Sequence, residues 1–157
     1  MKKVIRIILI TVLAVVILVI GGCAVILEII GHKGKNYWKY AETSGDIETK
    51  YTALGKHEVS YKEYDANDEI IGKYAVWYPD DLESIDNKYP VVVLANGTGS
   101  TSSTYKAFLE HLSSWGVVAV GNDDKNTRTG ASLEKTIEFL IQENENKDSI
   151  FYSNNYW

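Results

Sequence analysis

Two short stretches hold the residues whose types and spacing could do chemistry. Asn96-Gly97-Thr98-Gly99-Ser100 follows the apolar run Val91-Val92-Val93-Leu94-Ala95 and leads into Thr101-Ser102-Ser103-Thr104. Gly97 and Gly99 carry no Cβ, so backbone amides around them can come close to a ligand oxygen. The second stretch, Gly121-Asn122-Asp123-Asp124-Lys125-Asn126-Thr127, is polar and carboxylate-bearing. Ser100, Ser102, Ser103 and Thr104 are nucleophiles by residue type only. No G-x-S-x-G occurs, so no nucleophile elbow can be placed, and no histidine is placed locally to act as base. Capping and loop hydrogen bonding fits these hydroxyls better. His32, His57 and His111 lack metal-ligand spacing; His32 and His57 read as exposed polar residues and His111 as a surface or boundary residue. Asp123-Asp124 reads as a solvated turn rather than a metal site. No catalytic residue, metal ligand or cofactor is therefore assigned.

The elements that must position these stretches follow from periodicity. Glu58 to Tyr64 and Gly72 to Tyr78 alternate, and the turn cluster Asp65-Ala66-Asn67-Asp68 joins them into an antiparallel hairpin. Pro79-Asp80-Asp81 ends it, and Asp86-Asn87-Lys88 makes a second polar connection. Val91 to Ala95 does not alternate, which predicts a strand covered on both faces in a parallel sheet. Tyr105, Phe108, Leu109 and Leu112 recur at helical spacing, with Ser103 as N-cap and Gly116 as terminator. Val117 to Val120 predicts another strand. Leu133, Ile137, Leu140 and Ile141 mark a second amphipathic helix capped by Ser132, and no clear period follows Lys147. Strand-helix-strand at this spacing implies a right-handed parallel crossover. Ligands then bind outside the carboxyl ends of the strands, where both polar stretches lie.

The segment YPVVVLANGTGSTSSTYKAFLEHLSSWGVVAVGND resembles α/β-hydrolases of the dienelactone hydrolase, cutinase and polyester hydrolase branch. The preceding hairpin ending Val76-Trp77-Tyr78-Pro79 fits as well, and the likeness runs from about Gly55 to Asn146. The resemblance implies the N-terminal half of an α/β-hydrolase sheet: an antiparallel hairpin, then parallel β-α-β-α. It also implies that backbone N–H groups of Gly97 and Thr98 form an oxyanion hole, with Asn96, Gly99, Ser100, Asp123, Asp124 and Asn126 flanking the cleft. The family's Ser, Asp and His follow the elbow in chain order and have no counterparts here. A rival reading takes Gly97, Gly99 and Ser102 as an imperfect G-x-G-x-x-G, with Asp123 as a ribose-binding acid. Ser102 in place of the third glycine, and the hairpin before the strand, weigh against it. A Walker loop is excluded, since no Gly-Lys-Ser/Thr follows.

Ile7 to Leu27 is 21 residues without a charge, long enough to cross a ~30 Å hydrocarbon core. Lys2, Lys3 and Arg6 precede it and favour a cytoplasmic N-terminus with an exported remainder; Lys33, Lys35 and Lys39 weaken that bias. Residues 1–31 are read as a signal anchor, 32–54 as a tether and 55–157 as a partial hydrolase domain. A cleaved signal peptide is a further reading. Val19-Ile20-Gly21-Gly22-Cys23 resembles a lipobox, which makes Cys23 a lipidation candidate and a lipoprotein the alternative anchor. The net charge of -5 and the lack of a basic patch exclude nucleic acid as a partner. Membrane lipid through residues 7–27 and an ester substrate of the complete enzyme are the expected partners. The expectation is an inactive N-terminal portion of an exported, anchored ester hydrolase, whose strand at Val91–Ala95 is left as an open edge. The alternative is a non-catalytic anchored binding protein on a degenerate hydrolase fold.

Overall fold

A computed structural model describes residues 2–83, 88–152 and 155–156. It divides into two compact units, Met1–Ala41 and Glu42–Trp157. The first is built on α1, Lys2–Lys35, none of whose residues is buried. That helix is long and apolar enough to cross a membrane, as either a single-pass anchor or a signal sequence would. A one-turn 3₁₀ helix at Tyr37–Lys39 follows it.

The second unit is mixed α/β. Its elements are α2 (Asp46–Thr52), β1 (Val59–Asp65), β2 (Lys73–Pro79), β3 (Tyr89–Val93), α3 (Lys106–Ser114), β4 (Val118–Asn122), α4 (Ala131–Glu145) and the two-residue β5 (Asn155–Tyr156). They form one sheet in the order β1-β2-β4-β3-β5. The β1–β2 and β2–β4 pairs are antiparallel, with Val59 opposite Pro79 and Val76 opposite Val120. The β3–β4 and β3–β5 pairs are parallel, with Val92 opposite Ala119 and Tyr89 opposite Asn155.

The hairpin forms where alternation and turn chemistry predict it. Asp65 accepts the Asn67 N–H at 2.7 Å, and Asp68 accepts those of Ile70 and Ile71. Asn67 takes φ +49°, which short polar side chains tolerate. Asp86 and Asn87 of the expected second connection lie outside the described residues.

Side chains alternate between two cores. Val76, Tyr78, Val118 and Val120 point to the face where Leu140 and Phe151 pack. Ala75, Trp77 and Ala119 point to the other, against Leu109. β2 and β4 are central strands, and every residue of Tyr74–Pro79 and Val118–Asn122 is buried.

Several elements differ from the sequence reading. The strand at Val91–Ala95 is not covered on both faces: Val92 is 39% exposed, because α3 packs over β2 and β4 rather than β3. Beyond Pro90 its outer edge meets no strand among the described residues. On α3, Leu109 is buried but Phe108 is exposed. On α4 the inward stripe is Ser132, Thr136 and Leu140, while Ile137 and Ile141 face outward. Ser103 and Ser132 are not the caps: Tyr105 precedes α3 and Gly130 precedes α4, neither with a side-chain cap bond. Gly116, at φ +85°, does end α3.

Within the segment 32–54, expected as a tether, Tyr51 and Ala53 meet the C-terminal end of α3 and Trp115 after it. Ser44 bonds Glu48 from its N–H and hydroxyl, closing the first turn of α2. Trp115 Nε1 donates to Ala53 O at 3.0 Å, and its ring lies 4.9 Å from that of Tyr51. His111 is buried and bonds Tyr51 O at 2.9 Å, where an exposed or boundary residue was expected. His57 is half-buried with Nδ1 3.2 Å from Asp81.

Candidate functional site

Parallel strands β3 and β4 end side by side, so the loops that leave them share one rim of the sheet. Leu94 N–H bonds Val120 O at 2.8 Å and carries the pairing one residue past β3. The chain then turns on Asn96, which is 5% exposed. Its Nδ2 donates to Asn122 O at 2.5 Å and to Asp124 O at 3.0 Å, and its carbonyl accepts the Thr127 hydroxyl at 2.8 Å. Asn122 is fully buried and extends the network inward, its Nδ2 donating to Thr136 Oγ1 at 2.9 Å. Asn96 thus clamps the two loops together from below and does not line an open cleft.

Beyond the clamp the loop rises into solvent, and Gly97, Thr98 and Gly99 are exposed. Gly99, at φ +80°, donates its N–H to Lys125 O at 2.8 Å, a second tie between the loops. Ser100 N–H turns back onto Gly97 O. The two expected oxyanion donors fare differently. Gly97 N–H donates to the Tyr105 hydroxyl at 3.0 Å. Thr98 N–H has no partner among the described residues. A ligand oxygen at the loop therefore meets one free amide, and a second only if the phenol moves aside.

The hydroxyls after the loop are engaged in structure. Thr101 and Ser103 bond each other at 2.8 Å. Ser102 is buried and donates to Asp123 Oδ1 at 2.9 Å, which occupies the carboxylate oxygen that the dinucleotide reading assigns to a ribose. Asp124 is buried, and its Oδ1 accepts the Asn126 N–H at 2.7 Å. A hollow of about 230 Å³ takes in Asp124 and Asn126, together with Ile71, Ser132 and Lys135, but not the Asn96–Ser100 loop. The expected site residues are thus brought to one rim, yet they divide between an exposed loop and a separate hollow.

Two residues outside the expected site hold this arrangement. Tyr105 looked like one member of an apolar helical stripe, and its hydroxyl instead reaches the Gly97 amide. Gly121 opens the expected polar loop but lies inside β4, and a Cβ there would stand 2.8 Å from the Ser102 Cβ and 3.5 Å from its Cα. A glycine at the end of an apolar strand signals such a close backbone approach. Among the described residues no three His, Cys, Asp or Glu side chains gather as a metal-binding group.

No protein-family model matches this chain, and no curated protein matches it.

Proposed function

We propose that this chain is the N-terminal portion of a membrane-anchored serine ester hydrolase of the α/β-hydrolase type, bearing the oxyanion loop without the catalytic Ser, Asp and His. The observation that carries this reading is the free N–H of Thr98, on a loop tied down by Asn96 and Gly99 at the carboxyl end of a parallel strand. Such an amide stabilises the oxygen of a tetrahedral intermediate without reorganising during the reaction. Support also comes from the strand order, in which β3 lies between β4 and β5, as in the sheet of that family. The anchor is α1, with the second unit outside the cytoplasm as the leading Lys2, Lys3 and Arg6 favour.

The chain as it stands should not turn over p-nitrophenyl esters or take up a fluorophosphonate label. The DNA downstream should encode a G-x-S-x-G followed by an Asp and a His. Their absence in every frame would remove the fragment reading. In the complete enzyme, Thr98→Pro deletes the amide hydrogen and should lower kcat about 10²- to 10³-fold, with KM nearly unchanged.

A second reading, a non-catalytic anchored binding protein, is favoured by the Tyr105 hydroxyl on Gly97 N–H, which fills half of the expected donor pair. It expects the native product to have the mass of this chain, a cooperative unfolding transition and no fluorophosphonate labelling.

A further inference from the structure

We propose that the C-terminal end of α1, and the turn that folds back beside it, bind the phosphate of an anionic phospholipid. The inference needs only that α1 lies in a membrane, and it stands apart from any esterase reading. Beyond the apolar stretch the helix continues through Lys35. Asn36 then closes it, donating its N–H to His32 O and Lys33 O and its Nδ2 to His32 O. The chain turns over Tyr37–Lys39, with Tyr40 N–H bonded to Tyr37 O. Through that turn the Tyr40 ring comes to lie 5.7 Å from Lys33 Nζ. A hollow of about 570 Å³ lies here, lined by Ile29, Gly31, His32, Lys33, Lys35 and Tyr40 among others.

Depth, charge and surface character fit one occupant. At 1.5 Å per residue, Lys33 and Lys35 stand about 9 and 12 Å along the axis from Leu27. Helical side chains lean toward the N-terminus, so both ammonium groups reach back toward the headgroup layer. No ion pair among the described residues engages Lys33, Lys35 or Lys39. Among the described residues that line the hollow, Glu28 is the one carboxylate, against these two lysines. Tyr37, Trp38 and Tyr40 follow at once, rings of the kind that settle at the membrane–water boundary. A diacyl phospholipid would set its phosphate on Lys33 and Lys35 and run its chains past Ile29 along the exposed apolar helix. Phosphatidylglycerol keeps its negative charge there, whereas phosphatidylcholine returns a cation to the site.

The test uses the full chain in nanodiscs of equal parts phosphatidylglycerol and phosphatidylcholine, with retained lipids counted by native mass spectrometry. Phosphatidylglycerol should be retained in preference. K33Q/K35Q/K39Q should reduce the preference roughly fivefold per charge removed near the surface. Tyr40→Ala keeps every charge and should reduce it about two- to fivefold through loss of the ring over Lys33. K56Q/K125Q/K147Q removes the same charge from the second unit and should leave the preference intact. Equal retention of the two lipids, or an equal loss in the K56Q/K125Q/K147Q control, would overturn the site. So would displacement of the lipid by added inorganic phosphate, which would assign the hollow to a free anion.

Discussion

Asn96 carries more of the loop geometry than the glycines beside it. Its amide nitrogen satisfies two backbone carbonyls of the neighbouring loop, and its own backbone position fixes where Gly97 and Thr98 emerge. Asn96→Ala leaves those carbonyls without a donor in a buried setting, at a cost of about 1–3 kcal/mol, readable as a lower urea midpoint with unchanged slope. Gly121→Ala tests the same region from beneath. The added methyl would stand 2.8 Å from the Ser102 Cβ, and overpacking of this kind costs about 1–3 kcal/mol. The Asn–Gly–Thr–Gly spacing was legible as a loop with free amides. That Tyr105 covers one of them was not, because a tyrosine at helical spacing looks the same whether its hydroxyl meets water or an N–H.

At the scale of elements, the hairpin turn is fastened to α4 by one ion pair, Lys135 Nζ to Asp68 Oδ2 at 2.6 Å. The Lys135 ammonium, then the Ile71 and Ile70 amides, hold the Asp68 carboxyl below its ordinary 3.8. Glu63 is likewise held below 4.5, by Lys73 first and then by the Tyr61 hydroxyl. Carboxyls depressed in the folded state stabilise it above their unfolded values, and that contribution is lost as pH falls through the folded ones. The stability these carboxyls contribute should therefore fall as pH drops below about 4.5, as followed by urea unfolding at a series of acid pH values. Lys135→Gln should remove the lysine's share of the Asp68 component and leave that of the Ile70 and Ile71 amides, so that the gap between wild type and variant narrows in acid. The hairpin itself was legible, since alternation and turn residues act locally. Which face of α4 turns inward was not: Ile137 and Ile141 supply apolar spacing, yet Thr136 is buried because Asn122 below it needs a hydroxyl partner.

For the whole molecule, the outer edge of β3 is the exposed liability. Tyr89 and Pro90 pair with β5, while Val91–Val93 presents main chain without a partner strand among the described residues, and Val92 is exposed on it. Such an edge is a template for intermolecular pairing. In detergent, the full chain should self-associate in a concentration-dependent way by sedimentation. Val92→Lys should shift it toward monomer without lowering the urea midpoint, since an edge lysine opposes pairing and leaves the central strands untouched.

The sequence by itself determined the apolar helix, the hairpin, the β-α-β order and the meeting of two polar loops at one rim. Each of these follows from local periodicity, turn residues and chain connectivity. Tertiary structure decided which faces are covered, which amides stay free and where Tyr51 and Ala53 rest. Those outcomes depend on partners distant in the chain: α3 lies over β2 and β4, Trp115 reaches Ala53, and Tyr105 closes on Gly97. Local pattern carries no record of such contacts, because burial and hydrogen-bond satisfaction are properties of the packed whole.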